Sequence, residues 1–398
     1  MTFALPSRRI DLAVLVGAVV VAASALVYWL CNRYFDAGRG DFFYLADAFL
    51  HGRTYLDFRP GPNDVIISGD RFYVPFAPFP AIALMPVVAV LGAVTADQVE
   101  SGINALLAAA GVGLCWMLLG RIGVARLRDR LALTVLFGFS TQILWVTTRG
   151  GVWHTGQLIA TILTLACLIE VWGSKRAWLI GLLAGAAFLT RAPLAFAIPF
   201  YALLLDERAV LRSFPWRRWT ALAVGVLPSL VFFFLYNQVR FGTPLESGYA
   251  LATLPGWLEQ ERAKGLFSLA HVPMNLDYLF VYLPALIPQF PFFKPDGLGM
   301  SVLITSPGLL YAVRANWRDH RTWSLLGAAV AALVPTLLYY GGGWLQYGYR
   351  YFLDSVPFVI ALCGMAAAWR GRIGWAWIAL IAIGTVVMFV GVYWAYHL

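Results

Sequence analysis

Between residues 11 and 396 the chain returns again and again to apolar runs of membrane-spanning length, the longest holding no charge over about 20 residues, which is what a helix needs to cross the hydrocarbon of a bilayer. Irregular backbone and open sheet edges cannot lie against lipid, so such a chain must spend these runs as helices. Composition closes the aqueous alternative. With 61% hydrophobic and 12% charged residues among 398, too little polar surface exists to coat a water-soluble fold. The expected fold class is all-α: a polytopic transmembrane helical protein forming one integral membrane domain over residues 1–398.

The formal charge of +9 does not mark a nucleic-acid partner, because the basic residues fall in short clusters between the apolar runs. Their pattern is that of orientation signals. Arg8 and Arg9 put the amino terminus in the cytoplasm, and "RIGVARLRDR", "GSKR", "DERAVLRSFPWRR", "RANWRDHR" and "RGR" belong on the same side. This fixes a parity. If residues 75–93 crossed, the arginines at 121–130 would emerge outside. That segment carries prolines at 75, 78, 80 and 86, and reads as a juxtamembrane or re-entrant helix on the outer side. Eleven spans are then expected: 11–31, 98–120, 131–148, 155–173, 177–190, 192–205, 219–237, 300–314, 322–340, 355–369 and 374–396. With charges assigned to the nearer face, 17 Lys+Arg and 6 Asp+Glu fall inside and 12 and 14 outside, giving +11 and −2 within the total of +9. The outer side receives two long loops, 32–97 and 238–299, and a shorter one at 341–354. The first span lacks a small-residue cleavage site and reads as a retained anchor. Cys31, Cys115, Cys167 and Cys363 lie in or beside spans without paired spacing, so they read as buried thiols. Arginine outnumbers lysine, a bias of GC-rich bacterial genomes.

Chemistry-bearing residues gather in the outer loops. In "GRGDFFYLADAFLHGRTYLD" (38–57), Phe42, Leu45, Ala46, Phe49 and Leu50 recur at helical spacing, while Tyr44, Asp47 and His51 mark the opposite face. Gly52 ends this interfacial helix and Asp41 stands where an N-cap belongs. A cap and a reactive carboxylate are both open readings for it. Arg191 sits between two spans of about 14 residues each, at a depth where an arginine needs a polar cavity, an acidic partner or a lipid phosphate. Arg350 has the same readings, with Asp354 one helical turn on as a salt-bridge partner. Lys294, in "PFFKPDG", can reach a phosphate or a lipid headgroup. His154, beside Trp153, reads as an interfacial anchor, and His51 and His271 as loop histidines. No Asp-x-Asp occurs in the first outer loop and no Gly-rich nucleotide loop is present, so neither a required metal nor a cofactor nor a soluble sugar-nucleotide donor is expected.

The order first span, outer Asp41, a helix carrying Tyr44, the G-x-x-Y of Gly52 to Tyr55 and "GDRFYVPFAPFP" (69–80) resembles the membrane-embedded GT-C glycosyltransferases, especially the protein O-mannosyltransferase and aminoarabinose transferase group. "GLLAGAAFLTRAPLAFAIP" (181–199) and "YGYRYFLDSVPF" (348–358) are similar to two further stretches of that family. The resemblance implies an inverting enzyme of the cell envelope that moves a sugar from a polyprenyl-phosphate donor to a glycan, lipid or protein acceptor, with Asp41 catalytic. Arg191, Arg350 and Lys294 would serve the donor phosphate, and Tyr44, Asp47, Arg71, Tyr73 and His154 are further cavity candidates. Several relatives carry a basic residue before the paired prolines where this chain has Ala77, so that phosphate contact must come from elsewhere. The expected location is the plasma membrane, with the active site facing the periplasm or cell exterior. A lipid transporter or flippase is the competing class, and a non-catalytic lipid-binding scaffold a third. Long outer loops and the absence of a visible internal repeat favour the enzyme.

Overall fold

The computed structural model describes residues 12–32, 39–206 and 215–397. The orientation signal at Arg8 and Arg9 and much of the 206–218 cluster lie outside the described residues. In chain order the elements are α1 (Leu12–Cys31), α2 (Asp41–Leu50), a hairpin of β1 (Ile66–Ser68) and β2 (Arg71–Tyr73), α3 (Phe79–Leu91), α4 (Ala93–Gln98), α5 (Glu100–Ile122), α6 (Leu127–Phe139), α7 (Ile143–Val146), α8 (Val152–Val171) and α9 (Ala177–Phe188). A 3-10 stretch (Ala192–Ala197) leads into α10 (Ile198–Leu205), then α11 (Trp216–Phe241), α12 (Gly256–Arg262) and α13 (Val272–Leu276). A second hairpin, β3 (Ala285–Leu286) and β4 (Phe293–Lys294), precedes α14 (Val302–Thr305), a 3-10 stretch (Pro307–Arg314), α15 (His320–Leu338), a 3-10 turn (Arg350–Asp354), α16 (Val356–Arg370) and α17 (Trp375–Ala395).

Six of these helices, α1, α5, α8, α11, α15 and α17, are long and apolar enough to cross a membrane. The other five expected spans correspond to shorter or interrupted helices: 131–148 to α6 and α7, broken at Ser140–Gln142, and 300–314 to α14 and a 3-10 stretch. Lipid-facing surface is evident on the outer helices. Val224, Leu227, Val231 and Leu235 form an exposed stripe at helical spacing along α11, and α1 exposes Leu12, Val19, Leu26 and Leu30. Such stripes on helices of spanning length suit an apolar surrounding. The core lies between α5, α6, α8 and α16, where Leu118, Leu119, Leu133, Phe137 and Phe358 are fully buried. Helices α9 and α11 approach closely because both present small residues. A Cβ on Gly181 would collide with the Leu222 carbonyl, and one on Gly225 with the Trp178 carbonyl. Dispersion, not water exclusion, is what holds helices together in lipid, and small residues maximise it.

Hydrogen bonds sort the connections into two ends. At one, Arg128 donates to the Ile373 carbonyl (2.7 Å) and Ile373 N to Asp129 (3.2 Å), Arg121 donates to the Ile169 carbonyl (3.1 Å), and Tyr311 donates to the Arg372 carbonyl (3.4 Å), so basic clusters far apart in sequence converge. At the other, Phe79 N donates to the Leu189 carbonyl (3.0 Å), Asp64 N to the Thr253 carbonyl (2.7 Å), and Ser268 N to the Leu338 carbonyl (2.8 Å). Segment 75–98 begins and finishes at this second end. Phe79 is tied to Leu189 there, and Asp97 receives the Tyr44 hydroxyl at 3.0 Å. Both ties lie at this end, and α3 itself runs unbroken from Phe79 to Leu91 through Pro86.

Candidate active site

The second end encloses a cavity of ≈ 750 Å³. Its floor is the break between α9 and α10, its sides are the first turns of α8 and the last of α11, and its rim is made by loop segments that precede α3 and follow α11. Local chemistry explains how the rim is fixed. The β1–β2 hairpin turns on Gly69, whose φ of +59° needs no Cβ, followed by Asp70. Asp64 takes a left-handed backbone (φ +53°), which Asp, like Asn, tolerates better than most side chains. Its N–H bond to Thr253, with Thr253 N donating to Val65 O at 2.9 Å, clamps the second outer loop on the first.

Among the described residues five arginines line this cavity, Arg39, Arg149, Arg191, Arg240 and Arg350, and one carboxylate, Asp64. Their partners differ. Arg191 Nε donates to Asp354 Oδ1 at 2.5 Å, the acidic pairing that its depth demands. Arg350 is only 6% exposed, its Nε lacks a hydrogen-bond partner, and it makes no ion pair among the described residues; its guanidinium lies 5.4 Å from the Tyr351 ring centre. Arg240 is similar. It is 7% exposed, donates to the Val74 carbonyl (2.9 Å), leaves Nε unpartnered and stacks on Tyr236 and Phe241. Arg149 donates to the Ala395 carbonyl at 2.7 Å. Burying guanidinium groups without counter-charges is costly, and an anion entering the cavity would repay it.

Asp41 is built in from the other side of the wall. Phe42, Phe43, Leu45, Ala46 and Ala48 bury one face of α2, against α3 and against Gly156 on α8, and drag Asp41 in with them, its side chain 2% exposed. The N-cap reading is corrected: Gly40 is the cap residue and no side chain caps α2. The Asp41 carboxylate is engaged instead by Arg39, Nη2 to Oδ2 at 2.6 Å, and does not itself line the cavity. Arg39 does. It also donates to the carbonyls of Asn63 (2.6 Å) and Asp64 (3.3 Å), lies 3.8 Å from the Asp64 carboxylate and sits over Trp153 at 5.6 Å. Burial pushes the Asp41 carboxyl up to about 6 against the pull of Arg39, and burial raises Asp64 and Asp97 as well.

The other predicted residues divide. Arg191, Arg350 and His154 reach the cavity; His154 is 6% exposed, with Nδ1 3.4 Å from the Arg149 carbonyl, so it is a buried wall residue and not an interfacial anchor. The expected Arg350–Asp354 pair does not form. Residues 350–354 make a 3-10 turn, in which a four-residue step leaves the side chains about 120° apart, and Asp354 turns to Arg191. Lys294 is on β4 with its ammonium 5.9 Å from Trp394, outside the cavity wall. Asp47 lies near His51 (3.6 Å) and Arg53 (3.9 Å) on the exposed side of α2. Arg71 is exposed over Tyr55 (4.4 Å), Tyr73 is buried against Arg240 and Phe241, and Tyr44 serves Asp97; none of the four lines the cavity. His271, read as a loop histidine, is buried with Nε2 2.9 Å from the Gly265 carbonyl. The sequence reading missed Arg39, Asp64, Arg149 and Arg240. Position at the outer end of a span was a usable signal for Arg149 and Arg240; nothing local marked Asp64. Among the described residues no group of three or more His, Cys, Asp or Glu is placed to share a metal ion, and the four cysteines are buried and free.

No family model matches the chain, and no curated protein matches it in sequence. Among solved structures it is similar to the oligosaccharyltransferase of Archaeoglobus fulgidus in the apo form, at 13% identity and a TM-score of 0.45. The match covers 96% of this chain and 55% of that one, so this chain spans about half the length of that protein. At that level of likeness, function has to come from the site.

Proposed function

We propose that the chain is an inverting glycosyltransferase, taking a sugar from a polyprenyl-phosphate donor and passing it to an acceptor hydroxyl on the extracytoplasmic side of the membrane. The observation that carries this reading is the charge of the cavity: among the described residues five arginines face one lining carboxylate, and Arg350 and Arg240 are buried and make no ion pair, inside walls that are otherwise largely aromatic and apolar. A lipid-linked phosphate has both the negative charge and the apolar tail that such a surface accommodates.

In the transfer, the acceptor oxygen attacks the anomeric carbon from the face opposite the phosphate, the carbon–oxygen bond to phosphate breaks with its electrons on the phosphate, and the hydroxyl proton passes to a carboxylate. Phosphate departs without being protonated, so one base suffices where a glycosidase needs two carboxyl groups. Asp41 is the proposed base, its raised affinity for a proton suiting it to work near neutral pH. Arg350, Arg191 and Arg240 offset charge growing on the phosphate. The test incubates purified protein with radiolabelled polyprenyl-phosphate mannose, glucose and arabinofuranose and follows label into glycan, lipid or protein acceptors. Label that crosses a vesicle membrane while still on its lipid, with no transfer, would reject the enzyme in favour of a flippase.

A further inference from the structure

Asp41 and the cavity are separated by one side chain. Arg39 lines the cavity and is 20% exposed, whereas Asp41, bonded to it at 2.6 Å, is 2% exposed and lines nothing. With its side chain buried and Oδ2 held by Arg39, this carboxylate is not presented to the cavity in this arrangement. The same guanidinium is one that an entering anion would meet, and its Nε has no hydrogen-bond partner among the described residues. Other groups facing Asp41 push in one direction: Asp64 on the rim and Asp97 on α4 are carboxylates, and Glu100 at the start of α5 also feels its charge. Arg39 is the cation bonded to Asp41 in this cluster, with Arg350 also acting on Asp64, and a phosphate and Asp41 would compete for Arg39.

Resting on the polyprenyl-phosphate reading above, we propose that Arg39 is a donor-responsive latch: it holds Asp41 out of the cavity when no donor is bound, and transfers its guanidinium to the donor phosphate when one enters, uncovering the base. Arg39 is a positioning residue here, acting on the proton acceptor through an ion pair it exchanges. The base becomes available only once a donor is in place, with the carboxylate neutralised in the meantime. The exchange needs two arrangements of one side chain, each satisfied by an anion, and it obeys simple competition: the apparent donor affinity is the intrinsic affinity reduced by the fraction of molecules whose Arg39 is free.

Competition makes an unusual prediction that a purely structural ion pair does not. Binding of undecaprenyl phosphate to the full chain in detergent is measured by calorimetric titration, with inorganic phosphate as a second arm to separate headgroup from tail. Asp41→Asn removes the competitor and should tighten both, by about three- to tenfold. Arg39→Gln should weaken both by about tenfold or more, and the double variant should match Arg39→Gln alone. Weaker binding in Asp41→Asn would mean that Asp41 orients Arg39 toward the phosphate, and would overturn the latch. A structure of the unsubstituted protein with undecaprenyl phosphate bound is independent of how the variants fold: Arg39 on the phosphate and off Asp41 supports the exchange, and Arg39 still on Asp41 refutes it. Failure of either probe to enter the cavity would instead reject the donor reading on which the latch depends.

Discussion

Arg350→Met separates the cost of a buried cation from its use. Among the described residues the side chain, 6% exposed, has no ion pair and an unpartnered Nε, and the backbone bonds at this position, from Arg350 N to Gln346 Oε1 (3.1 Å) and to its carbonyl from Gln157 (3.1 Å), survive substitution. Methionine has similar length and no charge. On the stability side, loss of the Tyr351 contact removes about 0.5–2 kcal/mol, but relief of an uncompensated buried charge is worth a comparable amount, so the melting temperature should be unchanged or higher. On the catalytic side, a charge-assisted contact to phosphate is worth about 1.5–3 kcal/mol. That corresponds to a loss of roughly 10- to 150-fold in kcat/KM, since about 1.4 kcal/mol is tenfold. Transfer from a polyprenyl-phosphate sugar and thermal unfolding in the same detergent provide the two readings. A variant that transfers normally, or one that unfolds several degrees early while its kcat/KM holds, would show Arg350 to be structural and remove the main support for an anionic donor.

Three further outcomes are expected. Asp41→Asn should lower kcat by about 10²- to 10⁴-fold, and the wild-type rate should fall tenfold per pH unit below about 6, where Asp41 takes up its proton. Because folding raises this pKa, the stability that Asp41 contributes is full below the ordinary carboxylate range and lost as pH rises through about 6. Asp41→Asn should accordingly melt at or above the wild-type temperature at pH 7–8, with the difference shrinking toward pH 4. Arg191→Met strands the buried Asp354 and should cost about 3–5 kcal/mol, measured by denaturation, and adding Asp354→Leu should restore most of it. Gly225→Val, whose Cβ collides with the Trp178 carbonyl, should cost about 1–3 kcal/mol or more, whereas Gly374→Ala, with open space around it, should leave the melting temperature within a degree or two.

What could be read from the chain alone followed from patterns that are local. The six long helices match predicted spans to within a few residues at most ends, because desolvating a peptide group in lipid is so costly that hydropathy overrides weaker propensities. Within the proline-rich 75–93 segment the helix Phe79–Leu91 is too short to be counted with the six long ones, yet it runs through Pro86 without a break. Leu50 shows the margin of error: its place in the apolar stripe of α2 implied burial, yet it is 42% exposed at the last turn, where the helix runs past the elements that cover Phe42 and Leu45.

The site is a different matter. Helical spacing put Arg350 beside Asp354, but the segment winds as a 3-10 turn and Asp354 goes to Arg191, 163 residues away. Asp41 was identified as a residue of interest from its place after the first span; that Arg39 would occupy it, and that Asp64 would be the carboxylate on the wall, depends on a rim clamped by Thr253 from another loop. By itself the sequence determined that the chain must lie in a membrane as helices and which ends carry polar residues, because transfer from water to hydrocarbon is a property of each segment taken singly. Only the tertiary structure decided which charges meet, because an ion pair is a matter of a few ångströms between segments that no one-dimensional period relates.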